Sequence, residues 1–314
     1  MKQTHKNIQD WYKNHGRLDL PWRTTNDPYH IYLSEVMLQQ TQVKTVLERY
    51  YFPFLEKFPT LKALGNAPLD DVLKMWEGLG YYNRAKHLHM TATLVNELPE
   101  AIDKLIKLPG IGKNTAHAVA TFAFNQPVPI MEANVKRILC RLYKLKTPND
   151  KDLWKIAYAV LDKENSFDYN QAMMDIGATI CNPKNPKCEL CPLNNICKGK
   201  EEPTLYPTKK KRVVPTREQN ILINVYNDRL FLMQRKGKFL HGLWGFESME
   251  IPLCAAEYIG EVAHAYTHFK LICKVYVYYE SCPDQIDYFS PKEIEELAIS
   301  KVDEKIVKLF LDTM

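Results

Sequence analysis

The chain has 314 residues, 46% of them hydrophobic and 25% charged, with a formal net charge of +5. That is the composition of an ordinary globular protein, long enough for two domains each with its own core, and the mild positive charge permits a polyanionic partner without demanding one. No stretch approaches the roughly 20 apolar residues of a membrane span, and the polar N-terminus MKQTHKNIQDWYKNHG lacks the apolar core of a signal peptide, so a soluble intracellular protein is expected.

From Ile8 to about Ile180 the apolar residues recur at helical spacing, punctuated at Pro53, Pro59, Pro68, Pro99, Pro148 and Asn149-Asp150, which predicts a many-helix domain. Along Leu33 to Gln42 the apolar Leu33, Val36 and Met37 form one helical stripe, and Glu35, Gln39 and Gln42 form another. A carboxylate therefore sits among amides, although a lone Glu on a helix is ordinarily a solvated surface group. In Leu108 to Ala116, LPGIGKNTA, two glycines separate a helical run from a second one rich in small residues, which predicts a hairpin between helices. Gly110 and Gly112 let the backbone turn tightly, so the amides that open the second helix can meet a phosphate. A plain helix–helix turn uses the same pattern, and Lys113 beside it shifts the balance slightly toward an anion.

Cys181, Cys188, Cys191 and Cys197 follow in one short run, CNPKNPKCELCPLNNIC. Four thiolates gathered by a tight loop, with proline following two of them, hold either a structural zinc or an iron–sulfur cluster, and spacing alone does not choose. A disulfide framework does not suit a chain expected in a reducing compartment. Next comes KGKEEPTLYPTKKKRVVPTRE, with the composition of a solvated connector; its Lys209-Lys210-Lys211-Arg212 run suits a DNA backbone, though a basic linker is more often simply solvated. Beyond it, Ile221 to Tyr226 and Leu230 to Gln234 flank Asn227-Asp228 as a hairpin, Leu271 to Tyr279 reads as a strand, and Pro291 to Phe310 returns to helical spacing. The second half is expected to be a small α+β domain.

The segments LPWR (Leu20 to Arg23), SEVMLQQTQV (Ser34 to Val43), GLGYYNRA (Gly78 to Ala85), LPGIGKNTA, NVKRIL (Asn134 to Leu139), NQAMMDIGA (Asn170 to Ala178) and the four cysteines together resemble the MutY family of adenine DNA glycosylases, within the helix-hairpin-helix superfamily. The resemblance covers nearly the whole chain. It implies a mainly α helix-hairpin-helix glycosylase domain with an iron–sulfur cluster loop over residues 1–200, a basic connector over 201–218, and a small α+β Nudix-like lesion-recognition domain over 219–314. It also implies a 4Fe–4S cluster on Cys181, Cys188, Cys191 and Cys197. The partner it implies is double-stranded DNA containing 8-oxoguanine:adenine or guanine:adenine mispairs, met by a monomer expected in the bacterial cytoplasm at the nucleoid.

The implied reaction flips adenosine out of the duplex and cleaves its N-glycosidic bond. Glu35 matches the general acid that protonates adenine, and Trp22, Arg23 and Gln171 match positions lining the adenine pocket. Gln40, with Thr41 beside it, and Tyr81 match residues that enter the base stack. Gly110, Gly112, Lys113 and Asn114 belong to the DNA-contacting hairpin. Endonuclease III-like lyases carry a Schiff-base lysine where this chain has Asn114, and an amide cannot form that adduct, so a monofunctional glycosylase is expected. In Met131-Glu132-Ala133-Asn134 the family normally has Asp-Gly before the Asn; Glu132 stands where the aspartate stabilises the sugar's oxocarbenium-like charge, and it adds a methylene. Impaired chemistry, leaving a lesion binder or an altered specificity, is the alternative that this departure raises. The C-terminal half lacks the glutamate-rich box that gathers magnesium, so lesion reading is expected from it. Its reading loop carries Tyr266-Thr267-His268 in place of the usual Phe-Ser-His; Thr267 keeps a hydroxyl and His268 its ring.

Overall fold

The computed structural model describes residues 1–208, 213–237, 239–250, 255–281 and 287–314. Its helices, in chain order, are α1 (Lys2–His15), α2 (Pro28–Met37), α3 (Val43–Arg49), α4 (Tyr51–Lys57), α5 (Leu61–Asn66), α6 (Leu69–Met75), α7 (Asn83–Leu94), α8 (Ile102–Leu105), α9 (Lys113–Phe122), α10 (Ala133–Leu142), α11 (Asp150–Val160), α12 (Ser166–Thr179), α13 (Pro291–Ile294) and α14 (Lys301–Thr313). Two compact units form: Met1–Gly65 with Met90–Lys210, and Asn66–His89 with Lys211–Met314. None of the helices is long and apolar enough to cross a membrane.

In the first unit, Ile8 and Tyr12 of α1 pack against Val135, Ile138 and Leu139 of α10, Leu153 and Ala157 of α11, and Tyr169, Ala172, Met173 and Ile176 of α12. A second cluster joins Ile31 of α2 to Ala118 and Phe122 of α9 and to Ile130. Helices α10 and α12 approach so closely that a Cβ on Gly177 would stand 2.5 Å from the Asn134 Cβ, so only glycine fits there. Each helix starts where local chemistry allows it. Asp27 caps α2 by accepting from the amides of Tyr29 and His30, ahead of Pro28 at the first helical position, and Asn149 caps α11 through the Asp152 amide.

The second unit is built on strands β1 (Thr216–Tyr226), β2 (Arg229–Phe231), β3 (Met233–Gln234), β4 (Trp244–Gly245), β5 (Glu247–Met249), β6 (Glu257–Ala265), β7 (Lys270–Tyr279) and β8 (Tyr288–Phe289). The main sheet runs β6-β7-β1-β2-β8, with β5 also on β1; β1 and β7 are parallel and the other pairs antiparallel, while β3 and β4 pair separately. Alternate residues of β7, Leu271, Cys273, Val275 and Val277, point into a core completed by Val302, Ile306 and Phe310 of α14. This is the small α+β, Nudix-like domain expected. The β1–β2 turn at Asn227-Asp228 has both residues at positive φ, as a two-residue hairpin requires. Residues 66–89 join this unit through specific bonds: Gln234 Nε2 donates to Asp70 Oδ1 at 3.0 Å, Lys74 Nζ to the Leu297 carbonyl at 3.1 Å, and the Ile299 amide to Glu77 Oε1 at 3.4 Å.

Three local expectations change. The helix predicted across Leu33 to Gln42 stops at Met37, because Gln40 turns to φ +59° and Gln42 begins the next helix as its N-cap. Pro53 lies inside α4, in the first turn, where the missing N–H leaves no helical bond unmade. The connector is not uniformly solvated: Tyr206 is buried in the first unit's core, and β1 starts at Thr216. Lys209-Lys210-Lys211-Arg212 lies outside the described residues.

Candidate active site

A cavity of about 670 Å³ in the first unit gathers Trp22, Arg23, Glu35, Gln40, Thr41, Asn114, Glu132, Asn134 and Gln171. Nine of the residues singled out from separate motifs thus meet in one place. Glu35 reaches it from α2, a helix buried on nearly every side: Tyr29, Ile31, Tyr32, Leu33, Ser34, Val36 and Met37 are all buried. Burial raises the Glu35 pKa, the nearby Glu132 charge raises it further, and Arg23 opposes both, leaving it pushed up to about 8. Glu35 is therefore a protonated acid at neutral pH. Gln39 and Gln42 border the same cavity, although no continuous helix carries them with Glu35. Gln39 Nε2 lies 3.5 Å from Thr115 Oγ1, and Thr41 Oγ1 donates to the Gln39 carbonyl at 3.4 Å.

Glu132 is the N-cap residue of α10, and its side chain makes no capping bond. Its Oε1 accepts from Asn134 Nδ2 at 3.1 Å, and Asn134 Oδ1 accepts from Arg137 Nη2 at 2.9 Å. Burial raises the Glu132 pKa too, and the Asn134 bond and the charges of Arg17, Arg137 and Arg23 oppose this without cancelling it, so it stays above the ordinary carboxylate value. Two neighbouring carboxyls thus have different surroundings, Glu132 ringed by cations and Glu35 by apolar helix, and the proton resides on Glu35.

Arg23 spends its guanidinium on Asp175, with Nη1 donating to Oδ2 at 2.7 Å and Nη2 to Oδ1 at 2.9 Å. Arg17 grips the same carboxylate through Nε to Oδ1 at 2.7 Å and its own amide to Oδ2 at 2.9 Å. Burial works against the Asp175 charge, yet the bonds and charge of Arg23 and those of Arg17 outweigh it and hold its pKa below the usual carboxylate range. Two buried polar atoms of the cavity residues have no hydrogen-bond partner among the described residues, the acceptor Gln171 Oε1 and the donor Arg23 Nε. Trp22, buried, meets Tyr51 edge to face at 5.1 Å.

The hairpin residues Gly110, Gly112 and Lys113 do not line this cavity. Gly110 has φ +71°, a conformation that favours glycine, while a Cβ on Gly112 would meet nothing within 4 Å. The Lys113 ammonium stands 3.8 Å above the Trp154 ring, and Asn114 turns its amide to the backbone of Met131. In the second unit, Tyr81 and Thr267, distant in sequence, share a hydrogen bond between their hydroxyls. Tyr81 has φ +51°, and its loop is held by buried Arg84, which donates to the carbonyls of Leu79 at 3.2 Å and Gly80 at 2.9 Å. Thr267 and exposed His268 form the tip of the β6–β7 turn, which the Tyr266 amide closes on the Phe269 carbonyl at 2.9 Å.

Several known proteins are similar to this chain. The model of the HhH-GPD superfamily of base excision DNA repair proteins matches residues 33–160. An adenine DNA glycosylase of Buchnera aphidicola subsp. Baizongia pistaciae is 39% identical over 252 residues, covering 76% of this chain and 71% of that protein. The chain belongs to the adenine DNA glycosylase family. The human adenine DNA glycosylase is 28% identical over 96% of this chain and 73% of its own. Among solved structures, a thermostable thymine-DNA glycosylase matches 64% of this chain and 98% of its own with a TM-score of 0.59 and 30% identity. Endonuclease III in a non-covalent complex with DNA, at 22% identity and a TM-score of 0.54, shares the fold.

As a member of the adenine DNA glycosylase family the chain is a DNA N-glycosylase of base-excision repair and acts on DNA. Its four loop thiols, on Cys181, Cys188, Cys191 and Cys197, border one cavity with Arg141 and Lys200. Among the described residues no three His, Cys, Asp or Glu side chains group as ligands of one metal ion. Burial, and then the charges of the other three thiols, push Cys191 up to about 12, and burial raises Cys188 and Cys197 as well. Four cysteine thiols bordering one cavity are the donor set that a four-thiolate group takes. Buried Arg141 ties the loop down, donating to the carbonyls of Cys181 at 3.1 Å, Asn182 at 2.8 Å and Pro183 at 3.2 Å. The sequence reading missed Arg17, Arg137, Arg141 and Asp175. Arg137, Arg141 and Asp175 are charged side chains on largely apolar helices, which was the available signal; Arg17 lies in the loop after α1 and carries none.

Proposed function

We propose that the protein excises adenine mispaired with 8-oxoguanine or guanine, acting as a monofunctional glycosylase with Glu35 as general acid and Glu132 as its ionised partner. The observation that carries this reading is the pair of carboxyls on one cavity, where burial and the Glu132 charge raise the Glu35 pKa to about 8. Gln171 and Arg23 line the cavity that a flipped adenine enters, and the Gln171 acceptor and Arg23 Nε donor, which no described residue engages, support their role in holding the base. Trp22 supplies an apolar wall. Glu35 gives its proton to the base so that it leaves neutral, while Glu132, steadied by Asn134, stabilises the sugar's positive charge and orients the attacking water. With Asn114 at the lyase position, no Schiff base forms.

The domain of residues 219–314 reads the lesion strand through Thr267 and His268, and Tyr81, bonded to Thr267, joins the same reading surface. Gln40 and Thr41 act at the base stack, while Gly110, Gly112 and the uncapped amides opening α9 receive a phosphate. Cys181, Cys188, Cys191 and Cys197 hold a 4Fe–4S cluster, which supplies a structural core for the loop carrying Lys184 and Lys187. The test is single-turnover adenine release from an 8-oxoguanine:adenine duplex. Release by the native chain and none by Glu35→Gln is expected. Equal release by both, or tight binding without release by the native chain, overturns the reading, the latter in favour of a lesion binder.

A further inference from the structure

We infer that Asn114 is a positioning residue for Glu132: its amide sets the strap that carries the carboxylate, a role that rests on the glycosylase reading above. The strap, residues 128–131, lies in no sheet, yet side chains from two helices take up its backbone groups. Thr121 Oγ1 donates to the Val128 carbonyl at 3.1 Å, His117 Nδ1 lies 2.7 Å from the Pro129 carbonyl, and Asn170 joins the Ile130 amide at 2.8 Å and the Val128 carbonyl at 3.0 Å. Asn114 makes the last pair, accepting from the Met131 amide at 3.0 Å and donating to the Met131 carbonyl at 2.8 Å. Residues 114, 117 and 121 share one face of α9, so one rigid helix works as a rack along the strap. Bonding both the N–H and the C=O of one residue is what a hydrogen-bonded partner in an antiparallel strand would do, and it fixes the peptide immediately before Glu132.

That anchoring matters because the Glu132 side chain has one more rotatable bond than an aspartate, and its carboxylate takes no capping bond from α10. A displacement of about 1 Å at such a group lowers the rate by about a hundredfold. The amide that replaces a lyase's nucleophile therefore has a second use, on the backbone of the catalytic segment.

The test compares Asn114→Leu, which removes both bonds at similar volume, with the native chain, in the presence and absence of Glu132→Gln. Single-turnover adenine release, duplex affinity and hydrogen exchange of the Met131 amide are measured. Asn114→Leu is expected to slow release about a hundredfold with duplex affinity held within about threefold. It should add no loss once Glu132→Gln has removed the carboxylate. An affinity loss matching the rate loss makes Asn114 a DNA contact and overturns the inference. So does an equal rate loss in the Glu132→Gln background, which marks a merely structural role. If Asn114→Leu does not fold, Asn114→Ser, which keeps a hydroxyl, carries the same comparison with an intermediate loss expected. A native chain that releases no adenine refutes the glycosylase reading instead; Met131 exchange then tests the anchor by itself, slow in the native chain and fast in the variant, and equal exchange in both refutes it.

Discussion

Replacing Glu132 by aspartate, the residue usual in the family, should slow adenine release. The change withdraws the carboxylate by about 1 Å or more toward a strap that cannot follow, because Thr121, His117, Asn170 and Asn114 hold residues 128–131. The 3.1 Å bond from Asn134 Nδ2 then opens beyond hydrogen-bond range, since Asn134 is itself held by Arg137 and backed by Gly177. A shift of that size lowers the rate about a hundredfold, equivalent to about 2.7 kcal/mol of activation free energy. Ala133, in place of the family's glycine, starts α10 directly after Glu132 and gives the strap no added freedom to compensate. Single-turnover release from an 8-oxoguanine:adenine duplex, with duplex affinity measured alongside, reads the effect. A variant as fast as the native chain or faster refutes the reasoning, and identifies the native chain as the impaired one.

Asp175→Asn should lower unfolding free energy by about 3 kcal/mol in denaturant titrations, because it strips the shared counter-charge from Arg23 and Arg17, with the loss kept to that size by solvent at the Arg17 side chain, which is 32% exposed. The folded-state pKa of Asp175 is depressed, so this contribution is full above the ordinary carboxylate range and is lost as pH falls through the lowered value. Thr267→Ala should reduce the preference for an 8-oxoguanine duplex over its guanine counterpart, in equilibrium binding, without slowing release from a guanine:adenine mispair. A variant that keeps its full preference removes Thr267 from lesion reading. Cys191→Ser should yield protein with less bound iron and a lower melting temperature, measured by metal analysis and thermal unfolding; unchanged iron would exclude Cys191 as a ligand.

The residues that gather on the cavity were legible because each sits in a short motif with its own chemistry. Helical spacing likewise exposed a many-helix domain from Ile8 to about Ile180, though not its individual helices, and the β-branched run from Leu271 to Tyr279 exposed β7. Periodicity does not reveal where a helix ends within an apolar run, which is why Glu35, Gln39 and Gln42 read as one stripe although Gln40 turns into the left-handed region. Nor does it reveal bonds between residues far apart in the chain. The Arg17–Asp175 pairing, the grip of Asn170 on residue 130 and the Tyr81–Thr267 contact all depend on packing of elements that local spacing treats separately. Lys113 beside a glycine turn suggests a phosphate, and its ammonium also stands over the ring of Trp154, on α11, a contact that no local pattern specifies. Residues 66–89 read as one more stretch of the helical domain, yet Asp70, Lys74 and Glu77 bond to the sheet unit through side chains no pattern specifies.

General-acid catalysis by Glu35 requires a proton on it at neutral pH, and the pH dependence of single-turnover adenine release tests this most directly. Because the Glu35 pKa is raised to about 8, the rate should hold near neutrality and fall about tenfold per pH unit above that value; on the acid side it should fall as Glu132 is protonated through its own raised pKa. A rate that stays level or climbs from pH 7 to well above 8 would contradict the account, because Glu35 would then be ionised while the enzyme remained fully active.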